Sequence, residues 1–253
     1  MNPQGELTSQ LSATGVRTIT FGHPAHNSFP SNQLRATAAA IDTAGADHDT
    51  RVLLLRSQGE RTFCAGANLD ELLAVSDTAS ANEFFMGFAR LILSMRACPK
   101  PIVVAVQGKA IGGGVGIAAA ADYCLATEAA AIKLSELSIA IGPFVILPAL
   151  QRKLGVAAAG EMSWDTEWHS AQWAHAHGLY QSLYSTPAEL FTAAGELAER
   201  LARHSPEATK ELKNSLWQGT SHWPALLEDR AAVSGKLVLT DAAKAALAKF
   251  KKK

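Results

Sequence analysis

Cysteine is scarce in this chain. The three present in 253 residues, Cys64, Cys98 and Cys124, sit among apolar or small residues with no C-x-x-C spacing. That pattern argues against a disulfide framework and a zinc site, and it fits a reducing compartment, so the expected location is the cytoplasm. An excess of charge of one sign is lacking too. Lys and Arg together number 23, as do Asp and Glu, so no net field draws the protein to nucleic acid. The one basic cluster, KFKKK at Lys249 to Lys253, is terminal and reads as a solvated tail. No apolar run reaches the ~18 residues that a membrane span needs. The opening MNPQGELTSQ has no basic start followed by an apolar stretch, so neither membrane nor export is indicated.

What is present is an alternation of short β-like runs and helical segments. Val16 to Phe21 and Arg51 to Arg56, rich in branched residues, Pro101 to Val106, a continuous apolar run, and Asp122 to Ala126, a weaker one, read as strands, and continuous apolar strands of this kind predict a sheet covered on both faces. Ser31 to Ala46 and Ser80 to Cys98 read as helices between them. In the second of these, Phe84, Phe85, Phe88, Leu91, Ile92 and Met95 recur near helical spacing. From Pro187 onward the pattern is helical only. This divides the chain into an α/β core over residues 1–182 and a helical C-terminal region over 183–253.

Two glycine-centred turns, CAGANLDEL (Cys64 to Leu72) and GKAIGGGVGIAAAADYCLA (Gly108 to Ala126), stand where apolar strands give way to helices. A backbone N–H at a helix N-terminus is an unpaired donor in a region of partial positive charge. Two such donors aimed at one point stabilise an oxygen that gains negative charge during a reaction. Side chains would block that approach, which suits Gly66, Gly112, Gly113 and Gly114 with Ala65 and Ala67 to the task. Tight turns and close helix packing are the plainer use of the same glycines. A dinucleotide loop is the weaker functional reading, because GKAIGGG does not give G-x-G-x-x-G in register.

In order, HPAHNSF (His23 to Phe29), FCAGANLDEL (Phe63 to Leu72), Pro99 to Ala126, IKLSELSIAIGPF (Ile132 to Phe144) and the helical tail resemble the crotonase superfamily, the enoyl-CoA hydratase/isomerase group. The resemblance runs from about Val16 to Lys249. It implies an α/β spiral of ββα turns with a helical C-terminal region that trimerises, assembled as a homotrimer or homohexamer. It further implies an acyl-CoA thioester substrate, with coenzyme A as part of that substrate and no separate cofactor or metal. Carried over by position, the oxyanion hole falls on the backbone N–H groups of Ala67 and Gly113. Ala65, Asn68, Leu69 and Gly112 fall beside it as substrate-binding positions, and His26 and Ser28 fall in the stretch that in relatives lines the coenzyme A pocket.

The informative departure lies in the carboxylates. Hydratases of the family use two glutamates. The second is present as Glu136, a general acid/base candidate whose pKa burial is expected to raise if Ile111, Val115 and Phe144 wall it in. The first falls on Gly116 and is missing. The first reading is hydration of a 2-enoyl thioester through an enolate. The alternative is Δ3,Δ2-enoyl-CoA isomerisation with one glutamate, and a further alternative is a non-catalytic acyl-CoA-binding paralogue. Asp70 and Glu71 read as helix-start charges, and His169, His175 and His177 as packing or surface residues. The stretch Ser138 to Leu150 is expected to line the acyl pocket.

Overall fold

The apolar runs become strands of one sheet because each has both faces to bury. The computed structural model describes residues 5–249, so the basic tail beyond Lys249 lies outside the described residues. The strands are β1 (Glu6–Leu11), β2 (Val16–Gly22), β3 (Val52–Ser57), β4 (Thr62–Cys64), β5 (Ile102–Val106), β6 (Lys109–Ile111), β7 (Tyr123–Thr127), β8 (Ile132–Lys133) and β9 (Ser182–Tyr184). The helices are α1 (Ser31–Ala46), α2 (Leu69–Ala74), α3 (Thr78–Ala97), α4 (Gly113–Ala120), α5 (Leu147–Trp164), α6 (Ala171–Ala176), α7 (Pro187–Ala202), α8 (Pro206–Leu216), α9 (Trp223–Val238) and α10 (Asp241–Ala248). No described helix is long and apolar enough to cross a membrane.

The large sheet runs β1-β2-β3-β5-β7-β9, and a small parallel sheet runs β4-β6-β8. Each turn of chain sends one strand to the large sheet and the next to the small one: β3 then β4, β5 then β6, β7 then β8. This is the expected spiral. In the large sheet the strands are parallel except β1, which pairs antiparallel with β2 at the edge. The period of two along each strand divides its residues between two cores. Leu53, Leu55, Ile102, Val104 and Cys124 face the helices that carry the site. Val52, Leu54, Val103, Ala105 and Leu125 face Leu190, Ala194, Ala198 and Ala202 of α7. The first helix of the C-terminal region thus covers the sheet's second face, and β9, which contains residue 182, pairs with β7.

The sequence reading missed β1, β9 and the small sheet. β1 is largely exposed, and the others are only two or three residues long, too short for a period to be visible. The break inside α5 is also new. Gly155 has φ 78° and ψ 165°, so the helix stops and restarts there.

A buried cation fastens the C-terminal helices to the core. Lys213 of α8 donates from Nζ to the carbonyls of Met95 (3.1 Å) and Lys100 (2.9 Å). It also pairs with Asp122 at 2.7 Å. The Asp122 carboxylate in turn accepts from Trp217 Nε1 and from the Ile102 N–H, each at 2.9 Å. Removing one member of such a set leaves the other charge buried and undercompensated, which costs about 3–5 kcal/mol. Lys213→Ala is therefore expected to lose about 3 kcal/mol in urea unfolding at neutral pH; a loss below about 1 kcal/mol would show that Lys213 is no fastening.

Candidate active site

The ends of β4, β6 and β8 converge, and the residues that follow them build one site. After β4 the chain turns at Gly66, whose φ of 88° favours glycine. The turn is pinned on one side: the Phe29 N–H donates to the Gly66 carbonyl at 2.8 Å and the Asn68 N–H to the Phe29 carbonyl at 2.9 Å. This single parallel bridge between Phe29 and Ala67 uses the groups flanking Ala67 and leaves its own N–H on the opposite side. After β6 the chain turns at Gly112, with φ 52°. The Gly112 N–H is spent on the Lys133 carbonyl at 2.9 Å, and Gly113 opens α4. Neither the Ala67 N–H nor the Gly113 N–H has a hydrogen-bond partner among the described residues. The turns are in contact: a Cβ added at Gly66 would lie 3.2 Å from the Ile111 carbonyl oxygen and 3.8 Å from the Gly113 nitrogen.

Both donors line a cavity of about 500 Å3. Its walls are apolar, with Phe84, Phe85 and Phe88 from α3, Leu72 from α2, and Ile139, Ile141, Val145 and Ile146 from the connection between β8 and α5. Ser234 of α9 and Leu247 of α10 also line it. Glu136 follows β8 and reaches across Gly112, where a Cβ would come within 2.7 Å of its Oε1. The residue is half-buried because it faces the cavity, but its Oε2 is shut off from solvent and takes no hydrogen bond. Desolvation pushes its pKa from 4.5 up to about 7, and the backbone N–H groups of Glu136 and Ser135 pull partly the other way.

Of the positions singled out in the sequence, Ala65, Ala67, Leu69, Gly112, Gly113 and Glu136 line this cavity. His26, Ser28 and Asn68 are not among its lining residues. His26 is exposed, has φ 53°, and accepts the Ala65 N–H on its carbonyl at 3.2 Å. Ser28 is buried, its Oγ 3.4 Å from His23 Nδ1. Asn68 caps α2, its Oδ1 accepting from the Glu71 N–H at 3.0 Å, which accounts for an amide at this position. Glu71 reaches back to the start of α1 and accepts from the Ser31 N–H at 2.9 Å and the Ser31 hydroxyl at 2.5 Å. His175 bonds the Tyr180 carbonyl at 2.8 Å, and His177 stacks on Trp173 with ring centroids 4.1 Å apart.

The expected walls need correction. Ile111 lines the cavity, but Val115 and Phe144 do not. The Phe144 ring instead covers Gly142, where a Cβ would meet it at 2.5 Å. The Ser138 to Leu150 stretch contributes Ser138, Ile139, Ile141, Gly142, Pro143, Val145 and Ile146 and no more. Three contributions were not foreseen. The phenylalanines of α3 were read as helix periodicity without a cavity in view. Trp168 sits at the cavity with Lys109 and Lys133 over its ring, at 4.9 and 5.8 Å. Asn27 holds the first turn's neighbourhood, its Nδ2 donating to the carbonyls of Gln58 (2.7 Å) and Thr62 (2.8 Å); a buried Asn with φ 55° leaves no mark in a single sequence.

Known proteins resemble this chain in sequence and in fold. The family described as Enoyl-CoA hydratase/isomerase matches residues 12–253. YngF of Bacillus subtilis, whose name places it among the enoyl-CoA hydratases/isomerases, is 30% identical over 203 residues, 79% of this chain and 77% of its own. The short-chain-enoyl-CoA hydratase of Clostridium acetobutylicum is 27% identical over 206 residues, 81% of this chain and 78% of its own. The crystal structure of enoyl-CoA hydratase from Bacillus halodurans superposes with a TM-score of 0.88 at 18% identity, over 96% of this chain and 99% of that one, and so shares the fold. With a family match over nearly its full length and the crotonase fold, this chain belongs to the enoyl-CoA hydratase/isomerase family.

Proposed function

We propose that the protein binds an acyl-CoA thioester with its carbonyl oxygen between the Ala67 and Gly113 N–H groups, and that Glu136 moves a proton along the acyl chain. The reading is Δ3,Δ2-enoyl-CoA isomerisation, the second of the chemistries the sequence left open. One observation carries it: a single carboxyl, with an unpaired and buried oxygen, lies over the glycine turn in an apolar cavity. Glu136 takes a proton from C2 of a 3-enoyl thioester. The negative charge that spreads to the thioester oxygen is held by the two N–H groups, each worth ~3 kcal/mol in the transition state. The protonated carboxyl then returns the proton at C4. A pKa of about 7 gives both forms near neutrality, as a group that must accept and then donate requires. Hydration is the second reading, supported by the name of the Clostridium acetobutylicum relative. It requires a water to be held at C3, and the position of a second carboxylate is occupied here by Gly116.

A paired assay tests the reading. A short 3-enoyl-CoA is expected to gain the absorbance of a conjugated thioester, a 2-enoyl-CoA to stay unchanged, and Glu136→Gln to lower kcat by about 10²–10⁴-fold. Loss of the conjugated band from the 2-enoyl substrate would establish hydration instead, and thioester binding without turnover would make the protein a binding paralogue.

Glycine at position 112 is needed twice, for its φ and for the room it leaves the carboxyl. Gly112→Ala is expected to lose at least as much activity as Glu136→Gln while remaining folded by circular dichroism; near-normal turnover would place the working carboxyl elsewhere.

The buried carboxyl also sets a pH dependence that needs no substrate. Its folded-state pKa is raised, so the folded state binds the proton more tightly than the unfolded chain, and stability falls as pH rises from about 4.5 through about 7. At about 1.4 kcal/mol per pH unit, Glu136→Gln is expected to be about 3 kcal/mol more stable relative to the parent at pH 8 than at pH 4. Equal differences at the two pH values would mean that Glu136 ionises as it does in water.

A further inference from the structure

The chain that ends at Glu136 alternates apolar and polar residues: Ile132, Lys133, Leu134, Ser135. A period of two divides them between two sides. Ile132 and Leu134 are buried in the core, whereas Lys133 and Ser135 line the cavity. Lys133 stands in register with Ile111, another lining residue, and its carbonyl accepts the Gly112 N–H at 2.9 Å. Its backbone is thus fixed to the turn that presents the Gly113 donor. Among the described residues, Lys133 and Glu136 are the two charged side chains that line this otherwise apolar cavity.

The Lys133 charge has little use within the protein. Desolvation sets the Glu136 pKa against the pull of backbone N–H groups, and Lys133 takes no part in it. Its one described carboxylate neighbour is Glu167, 4.0 Å away and 78% exposed, a pair that contributes little. Its side chain is nonetheless only 23% exposed, and Nζ lies 5.8 Å from the centre of the Trp168 ring, where Lys109 brings a second ammonium to 4.9 Å. Two cations therefore meet one exposed carboxylate at this indole, which leaves positive charge over. The Ser135 hydroxyl bonds no described residue, unlike those of Ser138 and Ser234, which donate to the Ser135 and Arg230 carbonyls. A ligand that fills the cavity strips water from Lys133, and a desolvated ammonium needs an anion beside it.

We propose that Lys133, aided by Ser135, binds a carboxylate carried on the acyl group, so that the substrate is a thioester of a dicarboxylic acid. This rests on the reading of the cavity as a thioester site. The coenzyme's phosphates are the other anions of such a ligand. They are held away from the thioester by the pantetheine arm, which is far longer than a lysine side chain, whereas Lys133 is rooted at the turn that holds the thioester oxygen.

The test reads binding to the full chain by calorimetry, with saturated thioesters that cannot be isomerised. Glutaryl-CoA is compared with valeryl-CoA, which has a methyl in place of the carboxylate; succinyl with butyryl and adipyl with hexanoyl cover the neighbouring lengths. The parent is expected to bind at least one carboxylate member about tenfold more tightly than its methyl partner. The same preference is expected for the pantetheine thioesters, which lack the phosphates. Lys133→Met is expected to abolish it and to leave the methyl thioesters within about twofold of the parent, and Lys133→Arg to retain it. Absence of any preference in the parent, which needs no variant, overturns the proposal. Equal weakening of both CoA thioesters by Lys133→Met, with the pantetheine thioesters untouched, overturns it too and assigns the ammonium to the phosphates. A carboxylate preference in a protein that leaves 3-enoyl-CoA unchanged upholds the substrate class and overturns the isomerase reading; isomerisation without the preference does the reverse.

Discussion

An N–H held without a partner costs free energy, and among the described residues Ala67 and Gly113 each keep one at the same cavity. That constraint explains much of what surrounds them. The Ala67 donor stays unpaired because its neighbours are fully used: Gly66 and Asn68 bond Phe29, and the Ala65 N–H bonds the His26 carbonyl. Asn27 ties the adjoining loop to Gln58 and Thr62, and Glu71 joins the start of α1 to α2. The Gly113 donor is unpaired because it begins a helix whose residues are all buried, so the helix end is fixed and its dipole meets the cavity. A loop free to relax would satisfy these groups internally and lose the site.

The carboxyl adds a second cost on the same ground. Glu136 precedes a single 3-10 turn, Leu137–Ile139, that closes on Ala140 in the left-handed region with φ 58°. Its oxygen is set over a glycine among aromatic and aliphatic walls, where ionisation is disfavoured. Such a group survives in a folded protein only where the remainder of the core is secure. Here the sheet is packed on both faces, and α8 is locked by Lys213 to Asp122 and to two backbone carbonyls. Stability gathered far from the site offsets what the site gives up.

How much of this was legible in the sequence depended on the length scale of the signal. Runs such as Ile102 to Val106 and helices such as Ser31 to Ala46 carry many residues of one pattern, and they fold as read. The glycine turns were legible because glycine at a strand end has few uses, and the combination of two is specific. The missing carboxylate at Gly116 was visible as a letter, yet its structural counterpart was not. Only the fold shows that Ile146, thirty positions later, fills the place above it. The same holds for Phe88, whose ring lies where a Gly113 side chain would be. Contacts between distant positions leave no local period, which is also why Val115 and Phe144 were misread as walls.

The cavity is assembled from stretches with different sequence addresses. Its donors and its carboxyl come from residues 65–136, whereas Ser234 and Leu247 enter from helices more than ninety positions later. Depth and shape at that part of the cavity can therefore drift through changes in α9 and α10 without disturbing the turns around Gly66 and Gly112. Changes there reshape one wall of the cavity and leave its donors and its carboxyl in place.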